Sequence, residues 1–185
     1  MTQAATAVIR VLSAEEGNAR LPELAAILRD AVAHGASVNF MAGLTEAQAI
    51  AFWHGQIPAI AEGTRQLLVA EAAGRLLGTV ILSFAPQPNA PHRAEIGKML
   101  VLSAARRQGL GRRLLQAAED AARQAGRTLL ILDTQTGSAG EHLYNACGWQ
   151  VIGRIPEHSY TPDGQLAAAT VLAKSIGPHR RPCAP

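Results

Sequence analysis

Cysteine and aromatic residues are scarce in this sequence of 185 residues. The two cysteines are Cys147 and Cys183, and aromatic residues make up 4% of the chain. Two cysteines support neither a disulfide framework nor a cysteine metal cluster, so we expect reduced thiols. His34, His54 and His142 lack the His-x-x-x-His or carboxylate spacing of a metal-binding helix, and no metal is predicted.

Long hydrophobic runs and a concentrated charge are also absent. Arg, Glu, Gly or Pro interrupts every apolar run before it reaches the roughly 20 residues of a membrane span, and no signal stretch opens the chain. The net charge of +3 forms no basic stripe, which argues against a nucleic-acid partner. With 48% hydrophobic residues, the chain can form a sizeable core. We predict a cytoplasmic protein with one domain, residues 1–176, and a disordered tail, residues 177–185.

The first third of the chain is predicted to form a short strand and two helices. Ser13 and Glu16 form a capping box, S-x-x-E, at the start of the first helix. Thr45 and Gln48 repeat that pattern at the start of the second helix. Pro58 bends or divides this second helix, because proline disrupts a helix interior.

The rest of the chain alternates strands and helices. Two strands form a hairpin around the turn at 73–74. An apolar strand at 94–102, an amphipathic helix and a strand at 128–133 make a βαβ unit, so these two strands are predicted to be parallel neighbours. A short helix at 140–146 and two strands complete the order. The fold class is therefore α+β, with a mixed sheet.

The most informative segment joins the first strand and the helix of the βαβ unit. Gly109 and Gly111 carry no Cβ, so the backbone N–H groups of the helix start can approach an anion. Leu114 stands where a Rossmann fingerprint has its third glycine, and no P-loop is present. A tight helix entry with solvated arginines explains this spacing as well as a phosphate site does. Four arginines surround the turn and suit a pyrophosphate: Arg106, Arg107, Arg112 and Arg113.

Two motifs, in this order, resemble those of the GCN5-related N-acetyltransferase (GNAT) family. The acetyl-CoA loop of that family, R/Q-x-x-G-x-G/A, matches Arg106, Gly109 and Gly111, and its L-Y-x-x-x-G-F/W signature matches residues 143–149. The segments GASVNFM, EIGKMLV and IPEHSYTPDG are similar to the branch that contains the tabtoxin resistance protein. The resemblance implies three layers, α/β/α, around a largely antiparallel sheet of about seven strands.

The resemblance also implies how acetyl-CoA binds. The loop holds the pyrophosphate, and the preceding strand offers backbone groups to the pantetheine arm, provided that its neighbour splays away. A backbone N–H near Met99 or Leu100 then faces the thioester oxygen. Ser138 supplies a hydroxyl where the family often has an asparagine and this chain has Gly137. The predicted acetyl-CoA contacts are Met99, Leu100, Val101, Arg106, Arg107, Gln108, Gly109, Leu110, Gly111, Arg112 and Ser138.

Glu95 is the first of three candidate catalytic residues. It lies on the strand before the loop, where the resemblance places a general base in some family members. Alternation of side chains puts it on the face of Gly97 and Met99, on the order of 13 Å from Met99, so it would bind the amine or act through water. An exposed strand carboxylate is the alternative.

Asp133 and Tyr144 are the other two candidates. Asp133, at the end of the neighbouring strand, holds or deprotonates a cationic acceptor, or else forms the turn before TQTG. The phenol of Tyr144, with an unperturbed pKa of about 10, protonates the leaving thiolate. The alternative for Tyr144 is a core position beside Trp149.

We therefore predict an enzyme that moves an acetyl group from acetyl-CoA to the amine of a small molecule, by direct attack in a ternary complex. The tabtoxin-resistance resemblance adds an amino-acid-like toxin or antibiotic as the expected acceptor. A protein N-terminal or lysine acetyltransferase and a non-catalytic acyl-CoA-binding module are the alternatives. No metal cofactor, nucleic acid or membrane partner is predicted, and the sequence leaves the oligomeric state open, monomer or homodimer.

Overall fold

The computed structural model describes residues 7–177 as a seven-stranded sheet with helices on both faces. The strands are Val8–Leu12 (β1), Arg65–Ala72 (β2), Arg75–Phe84 (β3), Arg93–Val101 (β4), Leu129–Gln135 (β5), Gln150–Tyr160 (β6) and Leu166–Ser175 (β7). The helices are Ala14–Ala19 (α1), Leu21–Ala33 (α2), Glu46–His54 (α3), Ile57–Ala61 (α4), Leu110–Gln124 (α5) and Ala139–Ala146 (α6). Apart from Gly177, the predicted tail lies outside the described residues.

The sheet has the order β1-β2-β3-β4-β5-β7-β6. Its neighbours are antiparallel except β4 and β5, which are parallel and are joined by the crossover helix α5. The predicted α+β class, the mixed sheet and the βαβ unit are therefore confirmed. No helix in the described part of the chain is long and apolar enough to cross a membrane.

Two hydrophobic clusters, one on each face of the sheet, form the core. On one face, α2 and α3 pack through residues such as Leu24, Leu28 and Trp53, all fully buried. On the other face, α5 packs through Leu114 and Leu115. Because alternate residues of each strand point to opposite faces, one sheet serves both clusters. The three-layer arrangement is confirmed.

Both predicted capping boxes form. The Glu16 N–H donates to Ser13 Oγ at 3.1 Å, and the Ser13 N–H donates to the Glu16 carboxylate at 2.8 Å. Thr45 and Gln48 make the same reciprocal pair at 3.2 and 3.0 Å. Each capping box involves residues within one helical turn, so the sequence alone is enough to predict it.

The first predicted helix is wrong in one respect, because it is two helices. α1 ends before Arg20, and α2 begins with Pro22 in its first turn. A continuous helix would place the Pro22 ring against the carbonyl of Asn18, and the missing N–H would leave that carbonyl unpaired. The other predicted helix is divided in the same way, with Pro58 in the first turn of α4.

The predicted strand at 150–155 is too short, because β6 runs on to Tyr160. It is an edge strand, and its register with β7 is irregular between Ile155 and Ser159. An edge position and a bulge are the two places where a sheet tolerates proline, which explains how the strand passes through Pro156.

Candidate active site

The parallel strands β4 and β5 separate in the middle of the sheet. They pair only at Arg93–Leu129, Ala94–Leu130 and Glu95–Ile131, whereas β4 continues to Val101 and β5 continues to Gln135. Beyond Glu95, one side of the β4 backbone therefore has no neighbouring strand. The predicted splay is confirmed, and an extended ligand can add to this free edge.

A bulge at Lys98 reverses the side-chain pattern of β4. Lys98 has a positive φ of 45°, and its carbonyl accepts a hydrogen bond from Thr79 Oγ1 at 2.9 Å. Because the bulge inserts a residue, Ile96 and Met99 both belong to the cluster on the α5 face. The predicted shared face of Glu95 and Met99 is therefore wrong: Glu95 lies on the opposite face, with α2 and α3.

The loop from β4 to α5 presents unpaired backbone N–H groups. Arg107 and Gly109 both have positive φ angles, 64° and 77°, and Gly109 is the N-cap of α5 without a side-chain cap. Nothing lies within 4 Å of a Cβ built on Gly109. The side chain of Arg106 donates to the Val101 carbonyl at 3.1 Å and ties the loop to β4. The first turn of α5 is thus open to an anion.

A cavity of about 370 Å³, here called the loop cavity, lies between this loop, the end of β4 and α6. Its described lining holds three arginines and no carboxylate, which favours a ligand with several negative charges. Met99, Leu143 and Tyr144 give it an apolar wall. The lining residues predicted as acetyl-CoA contacts are Met99, Val101, Arg106, Arg107, Gly109, Leu110, Gly111 and Arg112.

The remaining predicted contacts lie elsewhere. Leu100 is buried in the cluster on the α2 face, and Gln108 is exposed. Ser138 is the N-cap of α6: its hydroxyl accepts from the Glu141 N–H at 3.1 Å and lies 3.2 Å from Thr134 Oγ1. Arg113, expected beside the turn, instead donates to a backbone carbonyl of residue 7, at 2.5 Å. A direct role of Ser138 toward the ligand stays a prediction.

A second cavity, of about 420 Å³, opens on the opposite face of the sheet and is here called the far-face cavity. Glu95 lines it together with Arg65, Ser83 and Arg93. The side chains of Ser83 and Glu95 are cross-strand neighbours on β3 and β4. The far-face cavity thus lies at the start of β4, where β4 and β5 still pair, and the loop cavity lies at the end of β4, beyond the splay.

Tyr144 both packs in the core and lines the loop cavity. The centre of its ring lies 5.8 Å from that of Trp149. The core position beside Trp149 and a position at the cavity wall therefore do not exclude each other. Burial, and secondarily the charge of Asp133, raises the pKa of Tyr144, which stays protonated at neutral pH. Asp133 itself is exposed and lies inside β5 opposite Val171, so the alternative in which it forms a turn is wrong, and its catalytic role stays a prediction.

Sequence reasoning missed Lys98. Its ammonium lies 5.3 Å from the centre of the Phe52 ring, on the same face as Glu95. Burial lowers the pKa of Lys98, while the negative charges of Asp133 and Glu95 oppose that shift. Simple alternation puts Lys98 opposite Glu95, and only the bulge brings them to one face.

Comparison with known proteins decides the family. The sequence profile of the acetyltransferase (GNAT) family matches residues 24–149. The chain belongs to this family. The GNAT protein is therefore an acetyl-CoA-dependent N-acetyltransferase, as predicted. In residues 7–177, no three His, Cys, Asp or Glu side chains are grouped as metal ligands.

Solved structures share the GNAT fold over nearly the whole chain. The GNAT protein is 20% identical to yncA from Salmonella typhimurium, solved with its cofactor acetyl-CoA, with a TM-score of 0.76 over 97% of this chain and 99% of that one. It is 26% identical to ribosomal-protein-alanine N-acetyltransferase from Brucella melitensis, with a TM-score of 0.73 over 91% and 99%. It is 19% identical to a protein provisionally assigned as a phosphinothricin N-acetyltransferase, with a TM-score of 0.75 over 93% and 99%.

Proposed function

We propose that this GNAT protein acetylates the amine of a small molecule, which attacks directly in a ternary complex. The observation that carries the proposal is the free edge of β4 beyond Glu95, which runs from Glu95 in the far-face cavity to Met99 and Val101 in the loop cavity. One cavity suits a polyanionic carrier, and the other exposes the carboxylate of Glu95. A direct transfer needs two ligands that meet from two sides.

The loop cavity would hold acetyl-CoA, which supplies the activated acetyl group. The N–H groups at the start of α5 and the guanidinium groups of Arg106, Arg107 and Arg112 would bind its phosphates. The free edge of β4 would pair with its pantetheine amides. An N–H of Met99 or Leu100 would stabilise negative charge on the carbonyl oxygen.

The far-face carboxylates would handle the acceptor. Glu95 would accept a hydrogen bond from the ammonium group and remove its proton, directly or through one water. Asp133 lies on the neighbouring strand beyond the last β4–β5 pair and would add a second negative charge. An amine must lose a proton before it can attack, so this placement favours basic amines.

Tyr144 would assist the leaving thiolate. It lines the loop cavity, and its raised pKa ensures that the phenol carries its proton. A phenol with a raised pKa is a weaker acid than a thiol of pKa about 8.5. Its contribution is therefore a hydrogen bond to the developing thiolate as much as a completed proton transfer.

Release of free thiol from acetyl-CoA, measured over a panel of primary amines, tests the proposal. We expect turnover with a small amine, and a fall in kcat of about 100-fold in Glu95→Gln. Affinity for coenzyme A should not change, because Glu95 lies on the other face of the sheet. Asp120→Asn, on the exposed surface of α5, is the matched control for loss of one negative charge. Full activity of Glu95→Gln would contradict the role of Glu95.

A protein N-terminus is the second candidate acceptor, supported by the 26% identity to the ribosomal-protein-alanine N-acetyltransferase from Brucella melitensis. Peptides with an N-terminal alanine belong in the same panel. Preference for such peptides over every small amine would replace the first proposal with this one.

Four finer points belong to the proposal. Likeness to the assigned phosphinothricin N-acetyltransferase and the tabtoxin-resistance resemblance support an amino-acid-like acceptor and a resistance role. The proposal also takes residues 1–176 as one catalytic domain and the cytoplasm as its location.

A further inference from the structure

Four charged side chains gather on the far face around the splay: Arg65, Glu95, Lys98 and Asp133. Arg65, Ser83 and Glu95 are in register across β2, β3 and β4, Lys98 follows Glu95 by three residues on β4, and Asp133 lies two residues beyond Ile131, the β5 partner of Glu95. Yet in the described residues none of the four has an oppositely charged side-chain atom within 4.0 Å. These two cations and two carboxylates therefore form no direct ion pairs in the described part of the chain, and Arg93, which lines the same cavity as Arg65 and Glu95, bonds instead to the neutral side chain of Gln87.

The Lys98 ammonium is partly desolvated, and within residues 7–177 no carboxylate lies close enough to form a direct ion pair with it. It is half-buried, its Nζ lies 5.3 Å from the centre of the Phe52 ring, and within residues 7–177 its Nζ donates no hydrogen bond. Loss of water around a charge is costly unless a hydrogen-bonding partner of opposite charge replaces it. An incoming oxyanion would supply that partner.

Arg65 is held in place by neutral groups. Its Nε donates to Ser83 Oγ at 3.0 Å, and one of its terminal nitrogens donates to the side-chain oxygen of Gln56. These bonds fix the guanidinium at the wall of the far-face cavity but leave its charge unneutralised. The Arg65 guanidinium therefore faces the same cavity as the Glu95 carboxylate.

We propose that Lys98 is a specificity-determining residue that binds a carboxylate-like oxyanion on the acceptor, with Arg65 as its neighbour. The inference rests on the proposed function. The acceptor is then a zwitterion, whose amine is held by Glu95 and Asp133 and whose acid group is held by Lys98. An amine without an acid group leaves Lys98 unpaired and is repelled by it.

Paired acceptors test this assignment. Each pair is an amino acid and its carboxamide, which keep the amine and the size but differ in the acid charge. The pairs cover α-, β- and γ-amino acids, and rates of thiol release are compared at equal concentrations of unprotonated amine. We expect kcat/KM for at least one acid to exceed that for its amide by about 10-fold or more. Loss of one charge-assisted hydrogen bond usually changes binding by this amount.

Lys98→Met isolates the ammonium, because methionine keeps the unbranched stem. The acid-to-amide ratio should fall toward one, mainly through a higher KM for the acid. Lys98→Arg keeps the charge and should retain the preference for the acid. A general loss of folding would lower both rates and leave their ratio unchanged. The acid-to-amide ratio of the wild type is measured without any substitution.

The outcomes separate the two proposals. Thiol release with amines at a wild-type ratio of one or less overturns the anion-binding role and leaves the proposed function standing. A high ratio that survives in Lys98→Met overturns the assignment to Lys98. No transfer to any small amine overturns the proposed function and the inference with it.

Discussion

A methyl group added at Gly111 would lie 3.1 Å from Leu143 Cδ2. The two residues belong to α5 and α6, and both line the loop cavity. Absence of a side chain at Gly111 therefore does more than loosen a turn. It lets α6 approach the start of α5 and keeps Leu143 out of the space next to the loop.

Gly111→Ala is expected to weaken coenzyme A binding. The new methyl group would displace the Leu143 side chain by a few tenths of an ångström. The loop cavity is one of the spaces into which that side chain can move. Leu143→Ala removes the obstacle. Dissociation constants for the two single variants and the double variant, measured by calorimetry, should show a coupling of about 1 kcal/mol. Strictly additive effects would contradict this contact.

Tyr144→Phe is expected to lower kcat by about 10- to 100-fold. The ring still packs on Trp149, so the dissociation constant of coenzyme A should stay within about twofold, in line with loss of a single hydroxyl that acts late in the reaction. Stopped-flow thiol release together with calorimetry separates the two effects. Equal losses of binding and turnover would point to a packing role alone.

The raised pKa of Tyr144 also affects stability at high pH. An unfolded tyrosine ionises near pH 10, whereas the buried phenol of the native state keeps its proton. Stability from this group is present below pH 10 and is lost as the pH rises above it. Between pH 9 and pH 11, the wild type should lose about 1.4 kcal/mol more unfolding free energy than Tyr144→Phe. Urea titrations at both pH values measure this difference, and parallel losses would contradict it.

Glu119 should be a strong contributor to stability away from the site. Its carboxylate is 2% exposed and accepts hydrogen bonds from Lys174 at 2.7 Å and from the Trp149 indole at 3.1 Å. Glu119→Gln leaves the partly buried ammonium of Lys174 without its counter-charge. We expect the free energy of unfolding, measured by urea titration, to fall by about 3 kcal/mol.

Asp120→Asn is the control for that change. Its carboxylate is 52% exposed and pairs with Arg123 at 2.6 Å on the surface of the same helix. Loss of this exposed pair should cost less than about 1 kcal/mol. Similar losses of unfolding free energy in both variants would contradict the larger contribution expected of the buried Glu119.

The features predicted correctly from the sequence are those that neighbouring residues determine. The helix N-termini at Ser13 and Thr45 follow from reciprocal hydrogen bonds over three residues. The hairpin turn at Ala73-Gly74 follows from two consecutive positive φ angles, 48° and 74°, which a tight turn between strands requires. The parallel pairing of β4 and β5 follows from the βαβ pattern.

The features missed depend on contacts between distant segments. The bulge at Lys98 forms where β4 changes register against β3, and it alone decides that Lys98 and Glu95 share a face. Extension of β6 through Pro156 depends on its position at the sheet edge. One missed feature is local: the spacing of Ser138 and Glu141 is a capping-box pattern, which predicts Ser138 as the N-cap of α6.

The central claim, that the turn before α5 binds the phosphates of the acyl carrier, is tested most directly at Gly109. Asparagine and aspartate both tolerate the positive φ of this residue and both cap helices, so Gly109→Asn and Gly109→Asp differ essentially by one negative charge. Calorimetric titration with coenzyme A should give at least about 10-fold weaker binding to the aspartate variant than to the asparagine variant, and the gap should narrow at high salt. Equal affinities of the two variants would contradict the account.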